Sequence, residues 1–444
     1  MLALIRTSLC AAALAAIAAP ALAGGPNAVV HSAQADMTNE FVVKFRDTAS
    51  AEATARHAGV QAALAARGVS LAGIEGRFLR VDRPLSNLDA QALAKELKAA
   101  NPAIAYIEAN IRLSHQLVPN DTRWNDQWHY YEDIAGIKLP KAYNKSQGAG
   151  VVVAVLDTGY RPHADLVANI VPGYDFITNT STANDGNGRD SDALDPGDGC
   201  GGQSSWHGTH VAGTIAAVTN NGVGVAGIAP GAKIQPVRVL GCGGGTFVDI
   251  QDAIEWASGG TVAGVPANPT PARVINMSLS GSGACPAGLQ TAINNAVGRG
   301  TVVAVAAGNN NSNAGNYTPA NCANVITVAS VNRSGSKAWY SNTGATVEIA
   351  APGGDTTGNV ANGVLSTLNA GVSTPGADSY AYYQGTSMAT PHVAGVAALM
   401  LANRPTMTPA QVLARMQSTA RAFPGTCTLC GAGILNAAKA VQRP

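Results

Sequence analysis

The stretch Val151-Val-Val-Ala-Val-Leu156-Asp157-Thr-Gly159 is an unbroken apolar run that ends in a carboxylate and a tight turn. A strand that is apolar on both of its faces belongs in a sheet covered on both sides, the habit of parallel sheets. Four runs of the same texture follow: Lys233 to Val239, Val274 to Met277, Val302 to Ala306 and Val325 to Val331. Helical segments such as Thr209 to Ala217 and Ile250 to Ala257 lie between runs of this kind. Strands alternating with helices from about Ile137 onward predict an α/β fold, a parallel sheet with helices on both faces.

Upstream, residues from about Glu40 to Glu108 follow a different rhythm. Phe41 to Phe45 reads as a strand, and Asp47 as the cap of an Ala-rich helix ending near Gly68. Leu71 to Ile74 and Phe78 to Val81 read as strands joined at Glu75-Gly76. Ser86 or Asn87 caps a second helix with Leu88, Leu93 and Leu97 on one face, stopped by Asn101-Pro102. Ile104 to Ile107 gives the last strand. The order β-α-β-β-α-β is that of a small ferredoxin-like α+β domain. A polar stretch, Asn110 to Asp126, links it to the larger region.

Arg6, the apolar run Leu9 to Ala19 and the small-residue site Ala21-Leu22-Ala23 have the form of an export signal over residues 1–23. The run is too short to span hydrocarbon and is broken by Pro20, which argues against a membrane anchor. Only 12% of the residues are charged and the formal net charge is +1, so the basic excess of a nucleic-acid binder is absent. Cys10 leaves with the signal, and Cys200, Cys242, Cys285, Cys322, Cys427 and Cys430 remain. An even number in an oxidising compartment predicts three disulfides. Cys427-Thr-Leu-Cys430 has redox or zinc spacing, but without a second pair or a nearby His it reads as a local bridge.

Three segments carry chemistry. Val153-Ala-Val-Leu-Asp157-Thr-Gly159 sets a carboxylate at a strand end; His207-Gly-Thr-His210-Val-Ala-Gly213 sets a histidine where a loop enters a helix. Gly385-Thr-Ser387-Met-Ala-Thr-Pro391-His-Val-Ala-Gly395 sets a serine at the mouth of a small-residue helix. In parallel α/β sheets, functional side chains gather at the carboxyl ends of strands and at the helix starts that follow. A serine hydroxyl needs a base to become nucleophilic, and an imidazole needs a carboxylate to hold the useful tautomer. Alone, each segment has an ordinary reading as a turn, a polar helix start or an N-cap. Together, in the order Asp, His, Ser, they follow subtilisin rather than chymotrypsin or the α/β-hydrolases.

The segments VAVLDTGY, HGTHVAGTIA and GTSMATPHVAG match the three active-site signatures of the subtilisin-like serine proteases, the subtilases. The chain resembles that family across nearly all of Gln127 to Gln442. The resemblance implies a secreted serine endopeptidase that works through an acyl-enzyme: Ser387 attacks, His207 moves the proton and Asp157 orients His207. It adds Asn309, in Val303-Ala-Val-Ala-Ala-Gly308-Asn309, as a donor to the oxyanion beside the Ser387 backbone N–H. The leading domain resembles the family's inhibitory propeptide. That divides the chain into a signal peptide at 1–23, a propeptide at 24–116 and a peptidase domain at 117–444. The propeptide tail, around Leu113 to Val118, would lie in the cleft and be cut there.

The same resemblance places an extended substrate between Gly243-Gly244-Gly245 and Ser278-Leu279-Ser280, with Phe247 gating a further apolar subsite. Ala306, Ala307 and Gly308, with Tyr317 to Ala320, would wall the primary specificity pocket. Neither stretch holds an acid, so a broad preference for apolar or uncharged residues before the scissile bond is expected. The resemblance also favours the pairings Cys200–Cys242, Cys285–Cys322 and Cys427–Cys430. His210 and His392 read as structural, and His163 receives no role.

Calcium is the expected cofactor, with no organic group. Asp165 with Thr219, Asn221, Val223 and Val225 resembles the family's strong site, and Gln127 would complete it. Asp185 and Asp190, in Asp185-Gly-Asn187-Gly-Arg-Asp190-Ser-Asp192, offer alternating oxygen ligands for a second ion. A zinc site at His207-x-x-His210 lacks the glutamate such hydrolases use. Partners are protein or peptide substrates and the chain's own propeptide, with neither nucleic acid nor membrane, acting as a monomer. Two rival readings are a catalytically silent binding protein on this fold and a general serine esterase. The first would lack one of Asp157, His207, Ser387 or Asn309; the second would need a Gly-x-Ser-x-Gly elbow, and Ser387 has none.

Overall fold

The computed structural model describes residues 37–46, 57–111 and 117–442. The export signal, Cys10, Asp47 and residues 113–116 of the expected propeptide tail lie outside the described residues. The chain forms two units, Met1–Leu113 and Ser114–Pro444.

In the first unit, strands Met37–Phe45, Leu71–Glu75, Phe78–Ser86 and Ile104–Ala109 form an antiparallel sheet. Their order is second, third, first, fourth, the ferredoxin-like arrangement. Helices Ala58–Ala66 and Asn87–Ala100 bring Val60, Leu64, Leu93 and Leu97 against Phe41, Val43, Leu79 and Val81. Ser86 caps the second helix, its hydroxyl accepting the Asp89 N–H at 3.1 Å. Leu88 departs from the expected apolar face and is 64% exposed. Five positions from Leu93 is an offset of about 140° on a helix, so the buried stripe is instead Ala90, Leu93, Ala94 and Leu97.

The second unit is built on seven parallel strands. From edge to edge they are Ile349–Pro352, Ile326–Val331, Val302–Ala306, Val274–Met277, Val152–Asp157, Lys233–Arg238 and Tyr174–Asp175. The opening stretch shows why the sheet is covered twice. Val153 and Val155 face a core shared with Val211, Ile215, Val393 and Val396. Ala154 and Leu156 face another, with Ile250, Ile254, Leu289 and Ile293. Helices His207–Ala216 and Thr386–Asn403 thus serve one face, and Phe247–Ala257 and Ala287–Gly298 the other. Each fully buried Val, Leu or Ile contributes about 1.5–3 kcal/mol.

Both expected helices start earlier than the sequence reading has them, at His207 and Phe247. Thr246 caps the latter by accepting the Asp249 N–H at 3.2 Å. The two edge strands and the hairpin of Val364–Asn369 with Asp378–Tyr383 are additions to the sequence reading. Disulfides join Cys200 to Cys242, Cys285 to Cys322 and Cys427 to Cys430.

Candidate active site

Asp157 is the last residue of its strand and is fully buried. Its Oδ1 accepts the Thr158 N–H at 2.8 Å and faces His207 Nδ1, also at 2.8 Å. A carboxylate at Nδ1 fixes the hydrogen there, which leaves Nε2 as the basic nitrogen. Trp206, with φ near 50°, turns the chain so that His207 opens the helix. Gly208 is required next: a Cβ there would lie 2.1 Å from the Gly159 carbonyl oxygen. Thr158 Oγ1 accepts the Gly208 N–H at 3.1 Å and donates to Asp195 at 2.7 Å, clamping strand end to helix start. Burial works to lower the His207 pKa, but the charge and hydrogen bond of Asp157, helped by Asp198 and Asp195, outweigh it. The imidazole ends above its ordinary value of 6.5.

Ser387 is the second residue of the long helix Thr386–Asn403. Its hydroxyl donates to the Ser278 carbonyl at 3.2 Å, and among the described residues it makes no hydrogen bond with His207. Ser278 returns the contact, its hydroxyl donating to the Ser387 carbonyl at 2.8 Å. Asn309 Oδ1 accepts both the Thr386 N–H at 2.8 Å and the Thr386 hydroxyl at 2.9 Å. With its oxygen so held, the amide's Nδ2 is the end left to donate. A Cβ built on Gly385 would lie 3.5 Å from Asn309 Nδ2 and 3.6 Å from the Ser387 nitrogen. The two donors therefore border one small space.

His207 lines a cleft of about 590 Å³ together with Gly243, Gly244, Gly245, Phe247, Ser278, Leu279 and Ser280. Ser278 to Ser280 also border an adjoining recess of about 370 Å³, whose walls include Ala306, Gly308, Asn309, Tyr317 and Ser387. Among the described residues, no Asp or Glu lines the recess. Ala307 does not line it: past Ala306 the alternation of the strand turns the side chain inward, to Ala314, Ala320 and Ala329.

His129, His163, His210 and His392 are fully or nearly fully buried. His210 Nε2 faces the carbonyls of Val364 and Ala381 at 3.1 and 3.0 Å, and burial pushes its pKa to about 3. His392 lies 2.8 Å from His129 and 2.8 Å from the Met388 carbonyl, and burial pushes it to about 4. His163 faces the Ser379 carbonyl at 3.0 Å.

The expected strong calcium site comes together in part. Asp165 accepts hydrogen bonds from Asn221 Nδ2 at 2.6 Å, the Val225 N–H at 2.8 Å and Tyr380 Oη at 3.3 Å. Asp121, which the sequence reading does not include, is buried against the same loop and accepts the Asn220 N–H at 2.9 Å. Its Oδ1 is buried with no hydrogen-bond partner among the described residues. Neither carboxylate pairs with a Lys, Arg or His there, and burial pushes Asp165 up to about 6. Two uncompensated carboxylates brought together at one loop fit a hard cation in charge and in donor type. Gln127 is not part of this set, because its amide pairs both ways with the Ala226 backbone, at 2.8 and 2.9 Å.

The second expected site does not fit. Asp185 Oδ2 accepts from the buried Arg238 at 2.7 Å, and Arg238 also contacts Asp175. Asp190 accepts from Asn187 Nδ2 at 2.5 Å and from the Asp192 N–H at 2.7 Å. Here a guanidinium already supplies the positive charge.

The double-covered sheet, the carboxylate–imidazole pair and the helix-borne serine are together the architecture of a serine peptidase. The chain belongs to the subtilase family, whose family model matches residues 148–433. It is a subtilisin-like serine endopeptidase. An extracellular protease of Xanthomonas campestris pv. campestris is 50% identical over 434 residues, covering 92% of this chain and 73% of that protein. An extracellular basic protease of Dichelobacter nodosus is 40% identical over 441 residues, covering 93% and 71%. Among solved structures, a protease from Pseudoalteromonas arctica is 61% identical with a TM-score of 0.72, covering 73% of this chain and 99% of that one.

Proposed function

We propose that the chain hydrolyses peptide bonds through an acyl-enzyme. Ser387 attacks the scissile carbonyl, and His207 takes its proton and returns it to the leaving amine. Asp157 holds the imidazole, while Asn309 Nδ2 and the Ser387 N–H bind the oxyanion. The observation that carries this reading is the 2.8 Å Asp157–His207 contact, on a cleft that shares the walls of the recess holding Ser387 and the aimed Asn309 amide. The Ser387 hydroxyl is turned to Ser278 here; catalytic hydrogen bonds commonly tighten only around bound substrate. The Asn309 donor contributes about 2.7–4 kcal/mol to the transition state, a magnitude established on subtilisin, a relative of this chain.

The acid-free recess supports a preference for apolar or uncharged residues before the scissile bond, with otherwise broad specificity. Residues 1–23 direct secretion, in keeping with the extracellular relatives, and 24–116 act as an intramolecular inhibitor that is removed from the 117–444 peptidase, which works as a monomer. Asp165 and the Thr219–Val225 loop, with Asp121 beside them, hold a structural calcium ion.

A serine-directed covalent inhibitor should label Ser387, and Ser387→Ala should lose casein cleavage and leave the precursor uncut. Normal self-processing by purified Ser387→Ala protein would overturn the mechanism. kcat/KM should fall as pH drops through the His207 pKa, above 6.5, because the base must be neutral. A flat profile between pH 5 and 8 would remove His207 from that role.

A further inference from the structure

We propose that Asp198 makes the subsite beside the primary pocket select basic side chains, favouring Lys or Arg one residue before the primary specificity residue. The inference rests on the proteolytic reading above. In an extended chain, successive side chains point to opposite faces. When one side chain enters the recess walled by Ala306, Gly308 and Tyr317, the preceding one turns away from it, toward the wall formed by His207, Ser205 and Asp198.

Asp198 is held for such a task. Its two oxygens accept the Ser205 N–H and the Ser205 hydroxyl, each at 2.6 Å. The Ser205 carbonyl is fixed in turn by Tyr383 Oη at 2.8 Å. Two residues on, Cys200 is bridged to Cys242, next to the Gly243–Gly245 edge. A carboxylate offers about four acceptor positions, so two bonds leave half of them open. No Lys, Arg or His forms an ion pair with Asp198 among the described residues, although its charge reaches the His207 ring. Leu240 and Ile250 line the same cleft and offer apolar surface to the stem of a Lys or Arg side chain.

The test uses the mature enzyme and chromogenic peptides Ala-Ala-X-Phe, with X as Lys, Arg, Ala or Glu. The expected order of kcat/KM is Lys and Arg above Ala above Glu, with about tenfold between Lys and Glu. That ratio should shrink as salt is raised. It should fall close to unity in Asp198→Asn, whose amide can keep both Ser205 contacts. Equal rates for Lys and Glu in the parent enzyme, or an undiminished ratio in Asp198→Asn, would overturn the proposal. Should Asp198→Asn be inactive on every peptide, the parent's salt series decides, and a salt-independent ratio overturns it. Failure of the proteolytic reading looks different: no peptide is cut and the serine-directed inhibitor leaves no label.

Discussion

Two loops of the peptidase unit, each an expected cation site, are built oppositely. Thr219 to Val225 is rich in Asn and Gly and borrows its carboxylates from Asp121 and Asp165, whereas Asp185 to Asp192 carries its own. Around Asn220 to Val225, Asp121 and Asp165 are buried, and among the described residues no cationic side chain pairs with them. Around Asp185 to Asp192, Arg238 answers Asp175 and Asp185 from inside, and Arg189 pairs with Asp249 and Asp252 at 2.7 and 2.6 Å. A cluster of carboxylates therefore says little about a metal until its counter-charges are found. Burying an ion costs several kcal/mol unless a partner offsets it, and the partner is either a residue of the chain or an ion from outside.

The contrast is open to attack. The largest effect is expected from Arg238→Met, which strands Asp175 in the interior and should cost about 3–5 kcal/mol in denaturant unfolding. A cost below about 1 kcal/mol would mean that the second loop is not balanced from within. Next, calcium at a hundredfold excess over its Kd should stabilise the mature domain by about 2.7 kcal/mol, seen as a chelator-sensitive rise in Tm. Asp165→Asn should abolish that rise. A rise that survives in Asp165→Asn would move the ion elsewhere. The smallest effect belongs to Asp190→Asn, whose exposed contacts are local. It should change stability by under about 0.5 kcal/mol and leave the calcium response intact.

How much of this was legible from the chain alone depends on whether the signal was local. The strand ending at Asp157, the helix mouth at Thr386 and the Ser86 cap each announce themselves within a few residues, whereas the helix expected from Thr209 already opens at His207. The two-sided sheet followed from the apolar runs. Leu88 leaves the apolar face because its angular offset from Leu93, not its residue type, decides which way it points. Ala307 faces the core rather than the recess because one residue of strand register decides between them. Asp121, Arg238 and Tyr380 could not be read at all, since their importance comes from partners tens to hundreds of positions away. Thr386 directly precedes Ser387, yet nothing local says that its N–H and hydroxyl grip Asn309.

That grip joins positions 77 apart. The amide proposed to meet the oxyanion takes its aim from the residue immediately ahead of Ser387, so one helix start sets both parts of the proposed chemistry. Any shift of that helix start would carry the hydroxyl and the aim of the amide together.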